Sequence, residues 1–144
     1  MRMEDENTPR PAPKPAGPGW SPLVIDSPYA MALGALWAAP DPARLWVQPD
    51  ERLSNIAGVV HGGALATLAD VALFVIAGHG TLRTDAVTLT LDLAYVAPAR
   101  LGTALVASGE IVREGRSIVF VGGRIEADGA CVLTFSGTLK TVRR

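Results

Sequence analysis

The chain has 144 residues, 49% of them apolar, and a formal net charge of −1 at pH 7. This length predicts one domain with its own core, and the near-neutral charge argues against nucleic acid or an anionic membrane surface as a partner. The single cysteine, Cys131, excludes an intrachain disulfide and fits a reducing cytoplasm.

The first twenty residues hold five of the eleven prolines, mixed with charged residues. This composition predicts a disordered or extended tail over 1–20, which leaves 21–144 as a single domain. The same stretch lacks the apolar core of a signal peptide, and no apolar run in the chain reaches the roughly 20 residues of a membrane-spanning helix.

Three short elements are predicted next. Ser27 is a favourable N-cap and Pro28 suits the first helical position, so we expect a short helix that reaches Leu33. Two short strands follow, near 34–38 and 43–48.

A long helix is predicted from Ala64 to Ala77, where alanine and leucine dominate and glycine and proline are absent. It is apolar on nearly every side, which is typical of a helix buried all round. Its one charged residue is Asp70. A carboxylate there lies at a wet edge, caps a neighbouring segment or has a functional role, because burying it without partners is costly.

Gly62 and Gly63 begin this helix without side chains, so their backbone N–H groups are open to a carbonyl oxygen or a developing oxyanion. Gly62 and Asp70 are eight residues apart, or roughly 12 Å along a helix. They cannot both touch one reacting carbonyl within one chain. A site that uses both therefore predicts a dimer, with the site at the interface.

Four strand-length runs follow, near 86–96, 103–113, 117–127 and 130–141, and their short turns predict an antiparallel sheet. Gly122-Gly123 inside the third run indicates a bulge or a close approach of another backbone. The fold class is therefore α+β, with one long helix that a curved antiparallel sheet can wrap. No metal-ligand spacing is present, and His79 fits the end of the helix.

These residues resemble the signature of the hotdog-fold acyl-CoA thioesterases of the phenylacetate-pathway, or PaaI-like, type. The resemblance runs from about Tyr29 to Val142 and rests on three motifs: Asn55-x-x-Gly58-x-x-His61-Gly62-Gly63 with Leu68-Ala69-Asp70, Tyr95-Val96-Ala97-Pro98-Ala99-Arg100-Leu101-Gly102, and Arg113-Glu114-Gly115-Arg116-Ser117. It implies the hotdog fold and an acyl-CoA thioesterase.

The resemblance also implies roles in the site. The Gly62 N–H would polarise the thioester carbonyl, and Asp70 of the partner subunit would act as general base or as nucleophile, with the base favoured. Asn55 would help to hold the thioester or the water, or is an ordinary turn residue. Thr88 would position the water beside the carboxylate, or is one of two threonines on the polar side of a strand. His61 would be structural rather than the base.

Further contacts to the substrate are expected from His61, Gly63 and three arginines in turns. Arg100, Arg113 and Arg116 would meet the anionic nucleotide end of CoA, although arginines in turns are often simply solvated. Asp92, on the polar side of the strand that bears Thr88, is either a second carboxylate near the site or a solvated residue, and the second interpretation is preferred.

The reaction implied is hydrolysis of an aryl-, phenylacetyl- or medium-chain acyl-CoA, without metal or cofactor other than the CoA of the substrate. An Asp rather than a Glu on the helix favours the phenylacetate-type branch over the hydroxybenzoyl- and dihydroxynaphthoyl-CoA thioesterases. A cytoplasmic homodimer, paired into a dimer of dimers, is expected. The alternatives are an enoyl-thioester hydratase and a non-catalytic acyl-CoA-binding module. Trp37 and Trp46 either line the acyl pocket or fill core or interface.

Overall fold

The computed structural model describes residues 9–142, in which an antiparallel sheet curves around one long helix. The helices are α1 (Pro28–Met31) and α2 (Gly62–Ala77), with a 3-10 turn at Glu51–Leu53. The strands are β1 (Ser21–Leu23), β2 (Leu36–Ala39), β3 (Arg44–Val47), β4 (Ala86–Tyr95), β5 (Leu105–Glu114), β6 (Ile118–Ala127) and β7 (Ala130–Thr141). Their order in the sheet is β1-β2-β3-β5-β6-β7-β4. All neighbours are antiparallel, so β1 and β4 are the two edges.

Helix α2 is the centre of the core, as its apolar sequence predicts. It begins at Gly62, two residues before the predicted start, and ends at Ala77 as predicted. Nine of its residues are buried: Leu65, Leu68, Ala69, Val71, Ala72, Leu73, Val75, Ile76 and Ala77. They pack in one cluster with inward side chains of the sheet, among them Leu45, Leu105, Val119, Ile125 and Leu139. This helix-in-sheet arrangement is the hotdog fold, which confirms the predicted fold class.

The N-terminal part follows the prediction only in part. The side chain of Ser27 caps α1 by accepting a hydrogen bond from Ala30 N at 3.3 Å, but α1 ends at Met31 and is shorter than expected. Strand β1 was not predicted. Residues 9–20 form neither helix nor strand, although Pro13 accepts a hydrogen bond from the Trp37 indole at 3.3 Å. The prediction for residues 1–8 lies outside the described residues.

The two tryptophans of β2 and β3 form a cross-strand pair on the outer face of the sheet. Trp37 lies opposite Trp46, while the neighbours of each along its strand point into the core. Trp46 is only 6% exposed. The preceding segment adds Trp20, whose ring lies 4.7 Å from the Arg44 guanidinium. Both tryptophans therefore belong to packing outside the helix–sheet core.

The glycine pair Gly122-Gly123 marks a close approach of backbone rather than a bulge. A Cβ on Gly123 would collide with the Ser108 carbonyl of β5 and would lie 2.5 Å from the Phe135 ring of β7, whereas one on Gly122 would have room. The register shifts of the sheet occur elsewhere, at Leu89 in β4 and at Val112 in β5, and between Ile125 and Glu126 of β6 against β7. The sheet thus needs glycine at 123 in order to curve.

Strand β4 pairs only with β7, and several of its apolar side chains face solvent. Val87, Leu89 and Tyr95 are each about half exposed, at 46%, 51% and 56%.

Among the described residues, α2 and the shorter helices do not meet the length and apolarity needed to cross a membrane.

Candidate active site

Asp70 and Thr88 meet between α2 and the edge strand β4. The Thr88 hydroxyl donates a hydrogen bond of 2.7 Å to Asp70 Oδ1, and both residues are half-buried. A carboxylate on an apolar helix needs such a donor, because losing water without a replacement partner is costly. The family resemblance implied that Thr88 lies beside this carboxylate, and the structure brings the two residues together.

A β-bulge is responsible for the direction of the Thr88 side chain. Thr88 pairs with Leu139 and Thr90 with Thr138, so Leu89 is the extra residue between them. Leu139 is fully buried in the core, whereas the Thr90 and Thr138 hydroxyls form an exposed pair. Strict alternation would put Thr88 on the outer face with Thr90. The extra residue turns Thr88 towards the helix instead.

Asp70 lines a cavity of about 570 Å³ between α2, the segment before α1 and the start of β4. Its apolar lining comes from Ile25, Ala30, Val71, Phe74, Leu82 and Ala86, and its polar lining also includes Asp26, Ser27, Arg83 and Thr84. Arg83 is held at this rim by Glu114 at 2.7 Å and Asp85 at 2.8 Å. The hydrogen bond that Arg83 donates to Glu114, then the one it donates to Asp85, raises the pKa of the Arg83 guanidinium above its usual value. The cavity thus places Asp70 beside a wall of mixed apolar and polar side chains.

At the start of α2, the backbone N–H groups of Gly62 and Gly63 differ in their hydrogen bonds. His61 is the N-cap, and its Nδ1 accepts a hydrogen bond from Gly63 N at 2.8 Å. Among the described residues nothing accepts a hydrogen bond from Gly62 N. The Gly63 N–H, predicted to bind substrate, is therefore occupied by the cap, whereas the Gly62 N–H is available. His61 thus caps the helix through its ring, and its contact with substrate stays a prediction.

Asn55 organises the loop that leads into the helix. Its Oδ1 accepts hydrogen bonds from Ala57 N at 2.9 Å and Val59 N at 3.2 Å. This is the turn role that the sequence left open. The side-chain amide Nδ2 still has its two donors, because no described residue accepts from it.

The three predicted arginines do not come together in one chain. Arg100 precedes β5 near the N-terminus of α2, and Arg116 lies in the turn from β5 to β6. Arg113 was expected in a turn but pairs with Phe120 at the far end of β5, and all three arginines are exposed. Ten residues of strand separate the two positions by about 30 Å. Asp92 lies opposite Ser136 and is exposed on the outer face, away from Asp70, so the preferred interpretation of a solvated residue fits.

Tyr95 is a neighbour of the site to which the sequence analysis assigned no role. Its hydroxyl donates a hydrogen bond of 2.7 Å to the Gly62 carbonyl. The sequence did carry a signal for Tyr95. By simple alternation it falls on the same face of β4 as Leu91 and Leu93, which pack on the core. The helix start and Asp70 are thus both contacted by β4.

The two candidate groups on α2 remain far apart within one chain. Gly62 opens the helix and Asp70 lies eight residues later in the same regular element, about 12 Å away. A second cavity, of about 290 Å³, adjoins the helix start and shares no lining residue with the one beside Asp70. Within residues 9–142, no group of three or more His, Cys, Asp or Glu side chains could hold a metal ion.

Comparison with known proteins agrees with this geometry. The sequence model of the thioesterase superfamily matches residues 57–131. A protein of Pseudomonas aeruginosa named as an esterase is 32% identical over 123 residues, which are 83% of this chain and 92% of that protein. Acyl-coenzyme A thioesterase 13 of Mus musculus is 30% identical over 84 residues, covering 58% of this chain and 59% of that protein.

A solved structure is similar over most of the chain as well. It is a mutant of the phenylacetic acid degradation protein PaaI from Thermus thermophilus, with 27% identity and a TM-score of 0.70, covering 81% of this chain and 100% of that one. The chain therefore belongs to the thioesterase superfamily. Within that superfamily it is a PaaI-like thioester hydrolase with the hotdog fold.

Proposed function

We propose that this acyl-CoA thioesterase hydrolyses an aryl-, phenylacetyl- or medium-chain acyl-CoA at a site shared by two copies of the chain. The observation that carries the proposal is the Thr88–Asp70 hydrogen bond of 2.7 Å at the wall of a partly apolar cavity. It supplies an oriented carboxylate beside space for a compact acyl group. Hydrolysis also needs a hydrogen-bond donor for the oxyanion. The available Gly62 N–H can be that donor, but only from a partner chain.

In this mechanism Asp70 accepts a proton from a water molecule whose oxygen attacks the thioester carbonyl carbon. The carbonyl oxygen becomes an oxyanion that accepts hydrogen bonds from the partner's Gly62 N–H and from the amide Nδ2 of the partner's Asn55. The C–S bond then breaks. CoA leaves as a thiolate and receives the proton held by Asp70, so that the products are the carboxylic acid and the free thiol.

The two histidines make a hydratase the weaker alternative. A hydratase is expected to need a catalytic histidine with a carboxylate. His61 has its Nδ1 engaged as the cap of α2, and His79 lies just beyond the other end of the helix, with a left-handed φ of 55°. Neither is a hydrogen-bond partner of Asp70.

The pairing of dimers and the cytoplasmic location remain expectations from the resemblance and the cysteine content.

The test is thiol release from a panel of phenylacetyl-, benzoyl-, hydroxybenzoyl- and straight-chain acyl-CoAs. Asp70→Asn should lower kcat by about 10²–10⁴-fold on the best substrate, because the proton acceptor is lost. No turnover on any member of the panel by a folded dimer would favour the non-catalytic binding module. Loss of enoyl absorbance with an enoyl-CoA would favour the hydratase.

The oxyanion donor has its own matched pair of variants. Gly62→Pro removes the N–H, and proline suits the first position of a helix that follows an extended residue such as His61, with ψ of 134°. Gly62→Ala adds a similar Cβ near the Tyr95 ring but keeps the donor. We expect Gly62→Pro to lower kcat by about 10²–10³-fold and Gly62→Ala by far less. Equal losses would contradict the role of this N–H.

A further inference from the structure

The peptide group that joins Gly62 to Gly63 is held at both ends by side chains. Its carbonyl accepts a hydrogen bond from the Tyr95 hydroxyl at 2.7 Å, and its N–H donates to His61 Nδ1 at 2.8 Å. Both groups lie in one plane, because a peptide bond does not rotate freely. Two side chains from outside the helix thus fix the orientation of the first full peptide group of α2.

The start of α2 is a place where the backbone needs such fixing. Two consecutive glycines have wide backbone freedom, and the first N–H groups of a helix have no partner within it. The Gly62 N–H belongs to the preceding peptide group, whose His61 carbonyl accepts hydrogen bonds from Ala64 N at 2.9 Å and Leu65 N at 3.1 Å. The two peptide groups meet at the Gly62 Cα, so holding the second one limits the rotation at Gly62 that would turn this N–H away. A donor that is fixed in advance stabilises an oxyanion without reorganising during the reaction.

Contact between Tyr95 and Gly62 also explains why residue 62 is glycine. Gly62 is not among the glycines with left-handed φ, so its backbone does not require glycine. A Cβ there would instead lie 3.3 Å from Cε1 of the Tyr95 ring and 3.4 Å from its hydroxyl oxygen. The absence of a side chain leaves room for the ring to lie over the helix start.

We infer that Tyr95 is a positioning residue for hydrolysis: it holds the Gly62–Gly63 peptide group so that the Gly62 N–H points at the thioester carbonyl. The inference rests on the proposed function, which supplies the role of that N–H. Tyr95 lies seven residues after Thr88 on β4. One strand therefore orients both the carboxylate and, towards the other site of the dimer, the oxyanion donor.

Tyr95→Phe tests this inference, because it removes the hydroxyl and keeps the ring over Gly62. Tyr29→Phe is the matched control: its hydroxyl also hydrogen-bonds the first turns of α2, at Thr67 Oγ1 and 3.1 Å, but does not contact the Gly62–Gly63 peptide group. For Tyr95→Phe we expect kcat to fall about tenfold with KM within about twofold, since ground-state binding is little changed. Tyr29→Phe should match the wild type.

A spectroscopic measurement separates positioning from a general structural effect. The carbonyl stretching frequency of a ¹³C-labelled acyl-CoA is recorded when bound to Asp70→Asn, and again with Tyr95→Phe added. A fixed donor polarises the carbonyl and lowers its frequency, so we expect the second variant to lose most of that shift. An unchanged shift would overturn the inference even if kcat falls.

The outcomes also distinguish this inference from the proposed function. If Tyr95→Phe hydrolyses acyl-CoA as fast as the wild type does, the role of Tyr95 is overturned and the proposed function stays intact. A wild type that hydrolyses no acyl-CoA overturns the proposed function, and the role of Tyr95 with it.

Discussion

Asp70 is the one ionisable side chain of α2, and the structure accounts for how it is accommodated. The helix around it is apolar and largely buried, so a carboxylate there loses much of its water. The Thr88 hydroxyl replaces one hydrogen bond, and the cavity of about 570 Å³ leaves room for water or substrate on the other side. The residue is thus held on one side and open on the other, which is what a group that exchanges protons with a ligand needs.

At this scale the prediction concerns Thr88. Thr88→Val removes the hydroxyl and keeps the shape of the side chain, so we expect kcat to fall about tenfold because the carboxylate loses its orientation. Thr90→Val is the control, since that hydroxyl pairs with Thr138 on the outer face at 2.8 Å. Steady-state thiol release and a thermal melt of each variant are the measurements. Similar losses of activity in both would show that orientation by Thr88 is unimportant.

Single residues could be predicted where the evidence for their role lies close by in the sequence. Asp70 was evident because a lone charge in an apolar helix is a local feature. The neighbourhood of Thr88 came from the family resemblance, since alternation alone puts Thr88 on the outer face with Thr90. The bulge at Leu89 reverses that, and nothing in Leu89 itself indicates a bulge. Tyr95 was missed because its contact with Gly62 spans 33 residues.

Among the elements, the sheet is shaped by a few glycines at which backbones meet. Gly123 faces the Ser108 carbonyl and the Phe135 ring, and Gly137 faces Leu73 of α2, where a Cβ would lie 2.6 Å from Cδ1. These positions let strands β5 to β7 bend closely around the helix. The strands themselves were predicted to within two residues at either end, because apolar alternation is a strong local signal.

Gly122 and Gly123 offer an adjacent pair for testing this close approach. We expect Gly123→Ala to lower the free energy of unfolding by about 1–3 kcal/mol, since the added methyl overpacks against a backbone carbonyl. Gly122→Ala, with its nearest contact at 3.7 Å, should be neutral or slightly stabilising. The measurement is denaturant unfolding at equal protein concentrations. Equal stabilities for the two variants would mean that the sheet adjusts without cost.

The short elements were harder to predict than the long ones. Strand β1 has three residues and gains its place only by pairing with β2, so it carries no pattern of its own. The two glycines at 122 and 123 indicated either a bulge or a close approach, and only the neighbouring strands decide between these. The irregularities fall instead at Leu89, Val112 and Val132, which are ordinary strand formers.

Viewed as a whole molecule, one chain holds two halves of a site that do not meet. The Gly62 N–H and the Asp70 carboxylate are about 12 Å apart on one rigid helix, and the cavity beside the helix start is separate from the one that Asp70 lines. This separation was predicted from the sequence, because helix geometry fixes it. The partner's surface could not be predicted, since it depends on how two folded chains pack.

Mixed dimers test whether the halves combine between chains. Asp70→Asn and Gly62→Pro chains are each expected to be nearly inactive. Dimers that contain one of each have one site with both groups intact, so random mixing should restore about a quarter of wild-type activity. Unfolding and refolding the two variants together, with each variant refolded alone as control, provides the measurement. No recovery in a preparation proven to contain mixed dimers would contradict a site that combines the Gly62 N–H of one chain with the Asp70 of the other.

The fit of Tyr95 over Gly62 has a consequence for how this protein can change over generations. A larger residue at 62 presses on the ring, and a smaller residue at 95 gives up the hydroxyl that holds the helix start. Neither position can drift alone without loss, so substitutions at the two should be inherited as a pair. Among descendants of this chain, a side chain at 62 should accompany the disappearance of the aromatic ring at 95.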